Sequence, residues 1–227
     1  MFPVAARGLS AQADCAPSPV RDQGDLGACV GFAFGCALNS MHGAGLITAP
    51  LALYYDFRTQ SGFPADQDTG AFIQPALSAL VQFGAGSEVT WPYEVDKFAT
   101  RPSMTYKRQA LDHRVSKHYR ATSAVQAKTA VSNGLPVVVA FNAPPNFVKD
   151  TGASGVWADN GRATVGGHAT CIMGYDDTKH DGAFRVQNSW STEWGEDGFF
   201  WLPYDVYEGQ RFWDGAVVTT WDMEAGS

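Results

Sequence analysis

The chain has 227 residues, 45% hydrophobic and 13% aromatic, which is enough for one large domain or for two small domains that share a cleft. Its formal net charge is −7, and no cluster of lysines and arginines is long enough to form a phosphate-binding face, so nucleic acid is not an expected partner. No stretch approaches the roughly 18 apolar residues of a membrane span, and no membrane-spanning segment is predicted.

The first half of the chain is predicted to be helical after an extended lead-in over residues 1–20. An apolar stretch that begins at Cys29 has the spacing of a nearly all-buried helix, and glycines stop it near residue 43. A proline opens a second helix, and a polar loop rich in Gly, Pro and Asp follows over residues 61–70. The predicted helices are Cys29–His42, a segment that begins at Pro50 and includes Phe57, and Ala71–Phe83.

The second half is predicted to consist mainly of strands. Residues 89–103 read as irregular, and a helical turn is expected over residues 106–111. Apolar and β-branched runs then alternate with connections rich in Asp and Gly. The predicted elements are the strands Val115–Arg120, Pro136–Asn142, His168–Tyr175, Ala183–Ser189, Phe199–Pro203 and Ala216–Trp221, and the helix Thr122–Asn133. Helices followed by strands predict an α+β protein in two halves.

Cys29 stands where a glycine-bearing loop becomes a helix. Unpaired N–H groups and the positive end of the helix dipole favour the thiolate at such a position. Gln23 begins the same loop, and its side-chain amide can donate a hydrogen bond close to the sulfur. A nucleophile beside a hydrogen-bond donor forms half of an acyl-transfer site. Taken alone, Cys29 also fits the alternative of a small core residue.

The other half of such a site is a base, and His168 is the favoured candidate among the five histidines. It follows two glycines and begins an apolar strand. Further along, Asn188 precedes Trp190, and an amide oxygen beside a large aromatic ring can accept a hydrogen bond from the imidazole and shield it from water. We expect Asn188 to bind Nδ1 of His168, so that Nε2 faces the sulfur.

Three motifs therefore occur in order: Gln23 with Cys29, Gly167-His168, and Asn188-Ser189-Trp190 with Trp194-Gly195. Together they resemble the papain-like cysteine peptidases, most of all their compact bacterial branch. The histidine and the asparagine follow the cysteine by 139 and 159 residues, against roughly 130–150 in the family pattern. The resemblance covers nearly the whole chain. It implies a helical subdomain at roughly 21–112, a β-barrel-like subdomain at roughly 113–204, a cleft between them, and terminal segments 1–20 and 205–227 that cross between them.

The chain departs from the family pattern around Cys29. Members usually have a cysteine three residues before the nucleophile, where this chain has Leu26, and an aromatic residue after it, where this chain has Val30. The usual disulfides are therefore not expected, and packing alone is expected to hold the loop before Cys29. The three remaining cysteines cannot all pair, which also argues against a disulfide-built fold. They are Cys15, Cys36 and Cys171.

The resemblance implies a Cys29 thiolate that is paired with protonated His168 and attacks a peptide carbonyl to form a thioester. Gln23 and the backbone N–H of Cys29 would hold the oxyanion, and Asn188 would orient His168. Neither a metal nor a cofactor is expected. The residues expected to bind substrate are uncharged, which predicts an apolar or aromatic side chain at the second residue before the scissile bond. They are Gly70, Ala71, Phe72, Ala140, Gly167 and Trp190.

The expected partner is a peptide or protein substrate, and the leading interpretation is a monomeric endopeptidase. An exopeptidase or deconjugating enzyme is one alternative, with the acidic loop around Asp66 and Asp68 near the end of the cleft, and a catalytically silent binding module is another. An inhibitory propeptide outside this sequence is a further expected partner. The alternative is that the peptidase is regulated in another way. The compartment stays open: the few cysteines and the lack of a signal-peptide pattern favour the cytoplasm, whereas a secreted or periplasmic form that has lost its leader is the alternative.

Overall fold

The computed structural model describes Pro3, residues 8–159, Gly161, residues 164–209 and the backbone of residues 216–221. Helices predominate up to residue 113 and strands after it, which confirms the predicted α+β class. The helices are α1 (Cys29–His42), α2 (Pro50–Gln60), α3 (Ile73–Phe83), α4 (Met104–Ala110), α5 (Ala124–Ser132), α6 (Gly152–Ser154) and α7 (Tyr204–Glu208). The strands are β1 (Gln12–Asp14), β2 (Val115–Ala121), β3 (Val137–Ala143), β4 (Gly166–Asp176), β5 (Ala183–Gln187), β6 (Phe199–Pro203) and β7 (Ala216–Trp221). The predicted terminal segments 1–20 and 205–227 lie partly outside the described residues.

The observed elements differ from the predicted ones mainly at their ends. The turn expected over residues 106–111 begins two residues earlier, as the helix α4, because the hydroxyl of Ser103 accepts a 3.2 Å hydrogen bond from the N–H of Tyr106 and caps the first turn; at Leu111 the chain continues as a 3-10 turn. The strand β1 and a π-helical turn over Phe147–Thr151 were not predicted. Both are too short to show a periodic pattern of apolar residues.

The helix α1 lies between the other helices and the sheet and is buried along most of its length. A Cβ atom at Gly31 would lie 2.7 Å from the carbonyl oxygen of Pro50, so only glycine lets α1 approach the start of α2 this closely. On its other side α1 packs against β4, where Sγ of Cys36 lies 3.4 Å from Sδ of Met173. The residue at the start of α1 is therefore fixed relative to both parts of the fold.

The strands form an antiparallel sheet in the order β2-β7-β3-β4-β5-β6, and β1 pairs with β4 outside this path. The register between β3 and β4 places His168 opposite Phe141 and Gly167 opposite Asn142. The strand β7 lies between β2 and β3, so the sheet includes residues that follow the predicted β-rich subdomain. This order brings the start of β4 and the end of β5 to the same region of the molecule.

The described core contains no cross-link, because all four cysteines are free. Three of them are buried, and the thiols of Cys36 and Cys171 lie 3.4 and 3.7 Å from the sulfur of Met173. A continuous core of apolar side chains runs from α1 into the sheet. Packing therefore takes the place of disulfides in holding the two parts of the fold together. Within the described ranges, none of the helices has the length and apolar character required to cross a membrane.

Candidate active site

Cys29 is the first residue of α1, and the preceding Ala28 offers no side-chain cap to the free N–H groups of the helix. The backbone N–H groups of Ala169, Val30 and Cys29 itself act to lower the pKa of the thiol, which favours the sulfur anion. Since Ala169 follows His168 on β4, the sulfur lies beside the strand that carries the histidine. The loop–helix junction expected for a reactive thiol is therefore present.

Asn188 determines which nitrogen of His168 carries the hydrogen. Oδ1 of Asn188 lies 2.8 Å from Nε2 of His168 and also accepts a 2.9 Å hydrogen bond from the backbone N–H of Ser189. Because that N–H can only donate, the atom it meets must be Oδ1, and Nε2 of His168 must then be the donor to it. In the neutral ring the lone pair is left on Nδ1.

The expectation that Nδ1 of His168 would meet Asn188 is therefore wrong. Nε2 is the ring nitrogen farther from the backbone, and it is the one that reaches Asn188 just beyond the neighbouring strand β5. The ring nitrogen that keeps a lone pair is therefore Nδ1, and the amide oxygen of Asn188 fixes the tautomer through Nε2.

Aromatic rings enclose His168, whose relative exposure is only 7%. The ring of Trp190 stacks on the imidazole at a centroid distance of 4.5 Å and an angle of 24°. Phe141 meets it edge-on at 5.6 Å, and Phe147 lies tilted at 5.9 Å. These rings shield the bond between His168 and Asn188 from water, which strengthens it.

The side chain of Gln23 is held at both ends. Oε1 accepts a 2.6 Å hydrogen bond from the hydroxyl of Ser189, and Nε2 donates a 2.8 Å hydrogen bond to the carbonyl of Leu26. An amide nitrogen carries two hydrogens, so one N–H of Gln23 is left to donate. Gln23 lines the same cleft as Cys29, which places a fixed donor close to the thiol.

The loop that carries Gln23 is paired with the segment that follows Asn188. The N–H of Gln23 donates to the carbonyl of Ser189 at 2.9 Å, and the N–H of Ser191 donates to the carbonyl of Arg21 at 3.1 Å. The donor beside the thiol and the partner of the histidine are thus joined by backbone hydrogen bonds.

A cleft of about 390 Å³, within the range of small-ligand sites, contains Cys29, His168 and Gln23 together. Five of the six expected substrate-binding residues line it, and the sixth, Trp190, is placed behind the imidazole instead. The lining residues are Gln23, Gly27, Cys29, Val30, Thr69, Gly70, Ala71, Phe72, Ala140, Gly167, His168 and Ala169.

Burial governs the protonation of the site. It raises the pKa of the Cys29 thiol, against the three N–H groups that lower it, and the negative charge of Asp68 raises this pKa further. Burial also lowers the pKa of His168 to about 4, although the hydrogen bond with Asn188 acts in the opposite direction. Each group, considered singly, therefore favours its neutral form, in contrast to the low thiol pKa expected from the sequence.

The loop before Cys29 was expected to be held by packing alone, and this is wrong. Leu26 is buried in an apolar cluster, but the N–H of the next residue, Gly27, also lies 3.1 Å from both carboxylate oxygens of Asp68. The contact of Ser189 with Gln23 was not predicted either. Ser189 directly follows Asn188, which was the available signal, yet its partner lies 166 positions away.

Comparison with known proteins identifies relatives along most of the chain. The model of the papain family of cysteine proteases matches residues 8–212. An uncharacterized peptidase C1-like protein of Acanthamoeba polyphaga mimivirus is 28% identical over 200 residues, which are 81% of this chain and 63% of the relative. Cathepsin K of Gallus gallus is 30% identical over 195 residues, which are 83% of this chain and 56% of that protein. The chain thus spans less than two thirds of the length of either relative.

Solved structures show the same fold. Xylellain, a cysteine protease from Xylella fastidiosa, is 26% identical with a TM-score of 0.86, over 94% of this chain and 87% of that chain. The bromelain protease from Ananas comosus, solved in complex with the E64 inhibitor, is 20% identical with a TM-score of 0.71, over 94% of this chain and all of that chain (100%). The papain-like α+β fold is thereby confirmed. With the family match over most of its length, the chain belongs to the papain family of cysteine proteases.

Proposed function

We propose that this papain-family cysteine peptidase is an endopeptidase in which Cys29 is the nucleophile and His168 the acid–base group. Asn188 orients His168, and the oxyanion is held by Gln23 and by the backbone N–H of Cys29. The observation that carries the proposal is that Cys29, His168 and Gln23 border one cleft while Nε2 of His168 is tied to Asn188.

The reaction begins with transfer of the proton on Sγ of Cys29 to Nδ1 of His168. The sulfur attacks the carbonyl carbon, and the carbonyl electron pair moves onto oxygen, which the two N–H donors stabilise by about 3–4 kcal/mol each. His168 then gives its proton to the leaving amine, and a thioester remains. A water molecule next gives a proton to His168 and attacks the thioester. The bond between the carbonyl carbon and sulfur breaks, the acid is released, and the sulfur takes the proton from His168, which restores the thiol.

Burial disfavours a charged Cys29 beside a neutral His168, and a charged His168 beside a neutral Cys29, as their pKa shifts show. A proton transfer between them creates both charges at once, and the attraction between opposite charges in a dry site offsets much of the penalty. The N–H groups of Ala169, Val30 and Cys29 favour the thiolate further. The pair is thus suited to form the thiolate when a substrate excludes water from the cleft.

The lining of the cleft supports an endopeptidase that prefers substrates with apolar side chains. Among the residues that the structure describes, none that lines the cleft is Asp, Glu, Lys or Arg, so none of them supplies a fixed charge for a free α-amino or α-carboxyl group. Asp68, an acidic neighbour of the cleft, already accepts hydrogen bonds from Gly27 and from the hydroxyl of Tyr54. Phe72, Ala140 and Gly167 would surround the second residue before the scissile bond.

The proposal is tested by treating the protein with a thiol-directed epoxide-peptide inactivator and with blocked dipeptide amide substrates, beside Cys29→Ala and His168→Ala. We expect stoichiometric labelling of Cys29 and turnover in the wild-type chain only. An unlabelled Cys29 together with no turnover would contradict the peptidase mechanism. Turnover restricted to substrates with a free α-amine would favour the exopeptidase. Since one chain supplies all the named groups, we further propose an active monomer, which gel filtration of the active fraction checks.

A further inference from the structure

Two loops that border the cleft are joined by a small set of polar groups. The first loop leads into Cys29, and the second, which precedes α3, carries Gly70. The N–H of Gly27 in the first loop lies 3.1 Å from both oxygens of the Asp68 carboxylate in the second. The hydroxyl of Tyr54 donates to Oδ1 of Asp68 and accepts a 3.0 Å hydrogen bond from the N–H of Gly70. We call the side chains of Tyr54 and Asp68 the clamp.

The clamp rests on a rigid support. Tyr54 lies on α2, is fully buried, and packs in the same apolar cluster as Leu26. One helical turn further on, the guanidinium of Arg58 lies 4.3 Å from the centroid of the Tyr54 ring. Arg58 donates hydrogen bonds of 2.8 and 2.5 Å to the carbonyls of Ala65 and Gln67, which fixes the loop that carries Asp68.

The charges within the clamp assign its donors and acceptors. Burial and the hydrogen bond to Asp68 raise the pKa of Tyr54, so its hydroxyl keeps its proton and donates it. The carboxylate of Asp68 accepts from Tyr54 and from Gly27 together. Hydrogen bonds with a charged partner are roughly twice as strong as neutral ones, so these bonds hold the loop of Gly27 firmly.

We propose that Tyr54 and Asp68 are positioning residues for the peptidase reaction. Asp68 fixes the loop that ends at Cys29. Its contact is next to Leu26, which occupies the position of the cysteine in the family pattern. Tyr54 fixes Gly70 at the substrate side of the cleft. This inference rests on the proposed function, because it concerns the geometry of the same nucleophile.

The two residues act on different steps. Loss of the Asp68 carboxylate frees the loop before Cys29 and lowers kcat, since the thiol then spends less time in the reactive geometry. Loss of the Tyr54 hydroxyl leaves Asp68 on Gly27 but releases the N–H of Gly70, which raises KM. The charge of Asp68 raises the pKa of Cys29, so its removal lowers the thiol pKa even as it slows turnover.

The experiment compares Asp68→Ala, Asp68→Asn and Tyr54→Phe with the control Asp66→Ala, which removes a negative charge two residues away in the same loop. Kinetics are measured with a blocked dipeptide amide, the thiol pKa by alkylation of Cys29 against pH, and folding by thermal unfolding. We expect Asp68→Ala to lower kcat about tenfold, as loss of a charged hydrogen bond does. Asp68→Asn, which keeps an acceptor oxygen but no charge, should recover part of kcat, and Tyr54→Phe should act mainly on KM.

Equal activities of Asp68→Ala and Asp66→Ala in folded, active enzymes would overturn the inference. A kcat of Asp68→Ala that equals the wild-type value would also overturn it, because the hydrogen bond of Asp68 would then not position the nucleophile. Amide hydrogen exchange supplies a readout independent of turnover: Gly27 should exchange faster in Asp68→Ala than in Asp66→Ala. If the wild-type chain is neither labelled nor active, the proposed function fails, and unchanged exchange at Gly27 would refute the clamp by itself.

Discussion

The hydroxyl of Ser189 donates a 2.6 Å hydrogen bond to Oε1 of Gln23, and both side chains are buried. This bond turns the amide so that its nitrogen faces Leu26 and the cleft. We expect Gln23→Ala to lower kcat about 100-fold, as loss of one oxyanion donor does, and Ser189→Ala to lower it about tenfold. Steady-state kinetics on a blocked dipeptide amide measure both effects.

A double-mutant cycle separates an effect through Gln23 from a general loss of packing. If Ser189 acts only by orienting the amide, Ser189→Ala should have little further effect on kcat in a Gln23→Ala background. Fully additive losses would contradict that role. Thermal unfolding of each variant shows whether the fold is kept.

The pH profile of kcat/KM should report the burial of His168. Protonated His168 cannot accept the thiol proton, so activity falls as the pH drops through its pKa of about 4. Trp190→Ala removes the ring that covers the imidazole, so the pKa should rise towards the usual 6.5 and the acid limb should move to higher pH. Asn188→Ala removes a bond that raises this pKa, so its acid limb should move to lower pH.

Trp201→Ala is the matched control for Trp190→Ala, because the Trp201 indole bonds Glu196 and the contacts found for it do not involve His168. Its profile should overlay that of the wild-type chain. An acid limb that stays in place in Trp190→Ala would show that the ring does not keep water from His168.

The four thiols should differ sharply in reactivity. Cys15, Cys36 and Cys171 are buried, so a reagent does not reach them in the folded chain, whereas Cys29 lines the cleft together with His168. A colorimetric thiol reagent should detect one fast thiol in the native protein and four after denaturation. The fast phase should vanish in Cys29→Ala. Its survival in that variant would assign the reactive thiol to another cysteine.

Acid should destabilise the fold between pH 6.5 and about 4. Burial, followed by the charge of His113, lowers the pKa of His42 from 6.5 to about 4. In this interval the unfolded chain binds a proton that the folded chain does not, so the free energy of unfolding decreases as the pH falls. His42→Gln should reduce this decrease, whereas His118→Gln, at an exposed site, should not. The free energy of unfolding is measured by urea denaturation at several pH values. If it depends on pH equally in the two variants, the assignment to His42 is refuted.

Substrate preference should follow the uncharged lining of the cleft. A peptide library should show a preference for apolar or aromatic side chains at the second residue before the cut. Ala140→Leu narrows that part of the cleft, so it should reduce the use of aromatic residues relative to smaller ones such as valine. A library that favours Arg or Glu there would contradict the proposed pocket.

Local patterns predicted most of the secondary structure and the order of the candidate catalytic residues. The helix from Cys29 to His42 has the observed bounds, because an uninterrupted apolar pattern and a terminal glycine define it. Cys29, His168 and Asn188 were found because each lies beside a distinctive neighbour: a glycine-bearing loop, a glycine pair and a tryptophan.

The remaining features depend on contacts between distant positions. Two hydrogen bonds join loops in which no repeating sequence pattern indicates a partner. They are the bonds of Ser189 with Gln23 and of Gly27 with Asp68. The choice between the two nitrogens of His168 depends on where the end of β5 lies relative to β4, which the sequence pattern of either strand does not determine. The place of β7 between β2 and β3 is likewise a property of the whole sheet.

The free state of the four cysteines has a consequence for handling the enzyme. A thiol nucleophile works only while it is reduced, and reductants that protect it also cleave disulfides. In this chain a reductant can keep the thiol reduced without weakening the fold. The described core relies on packing around Met173 and on hydrogen bonds such as that of Gly27. Strong reductant should therefore restore a Cys29 that has been oxidised to a disulfide or a sulfenic acid, and it should leave the melting temperature unchanged.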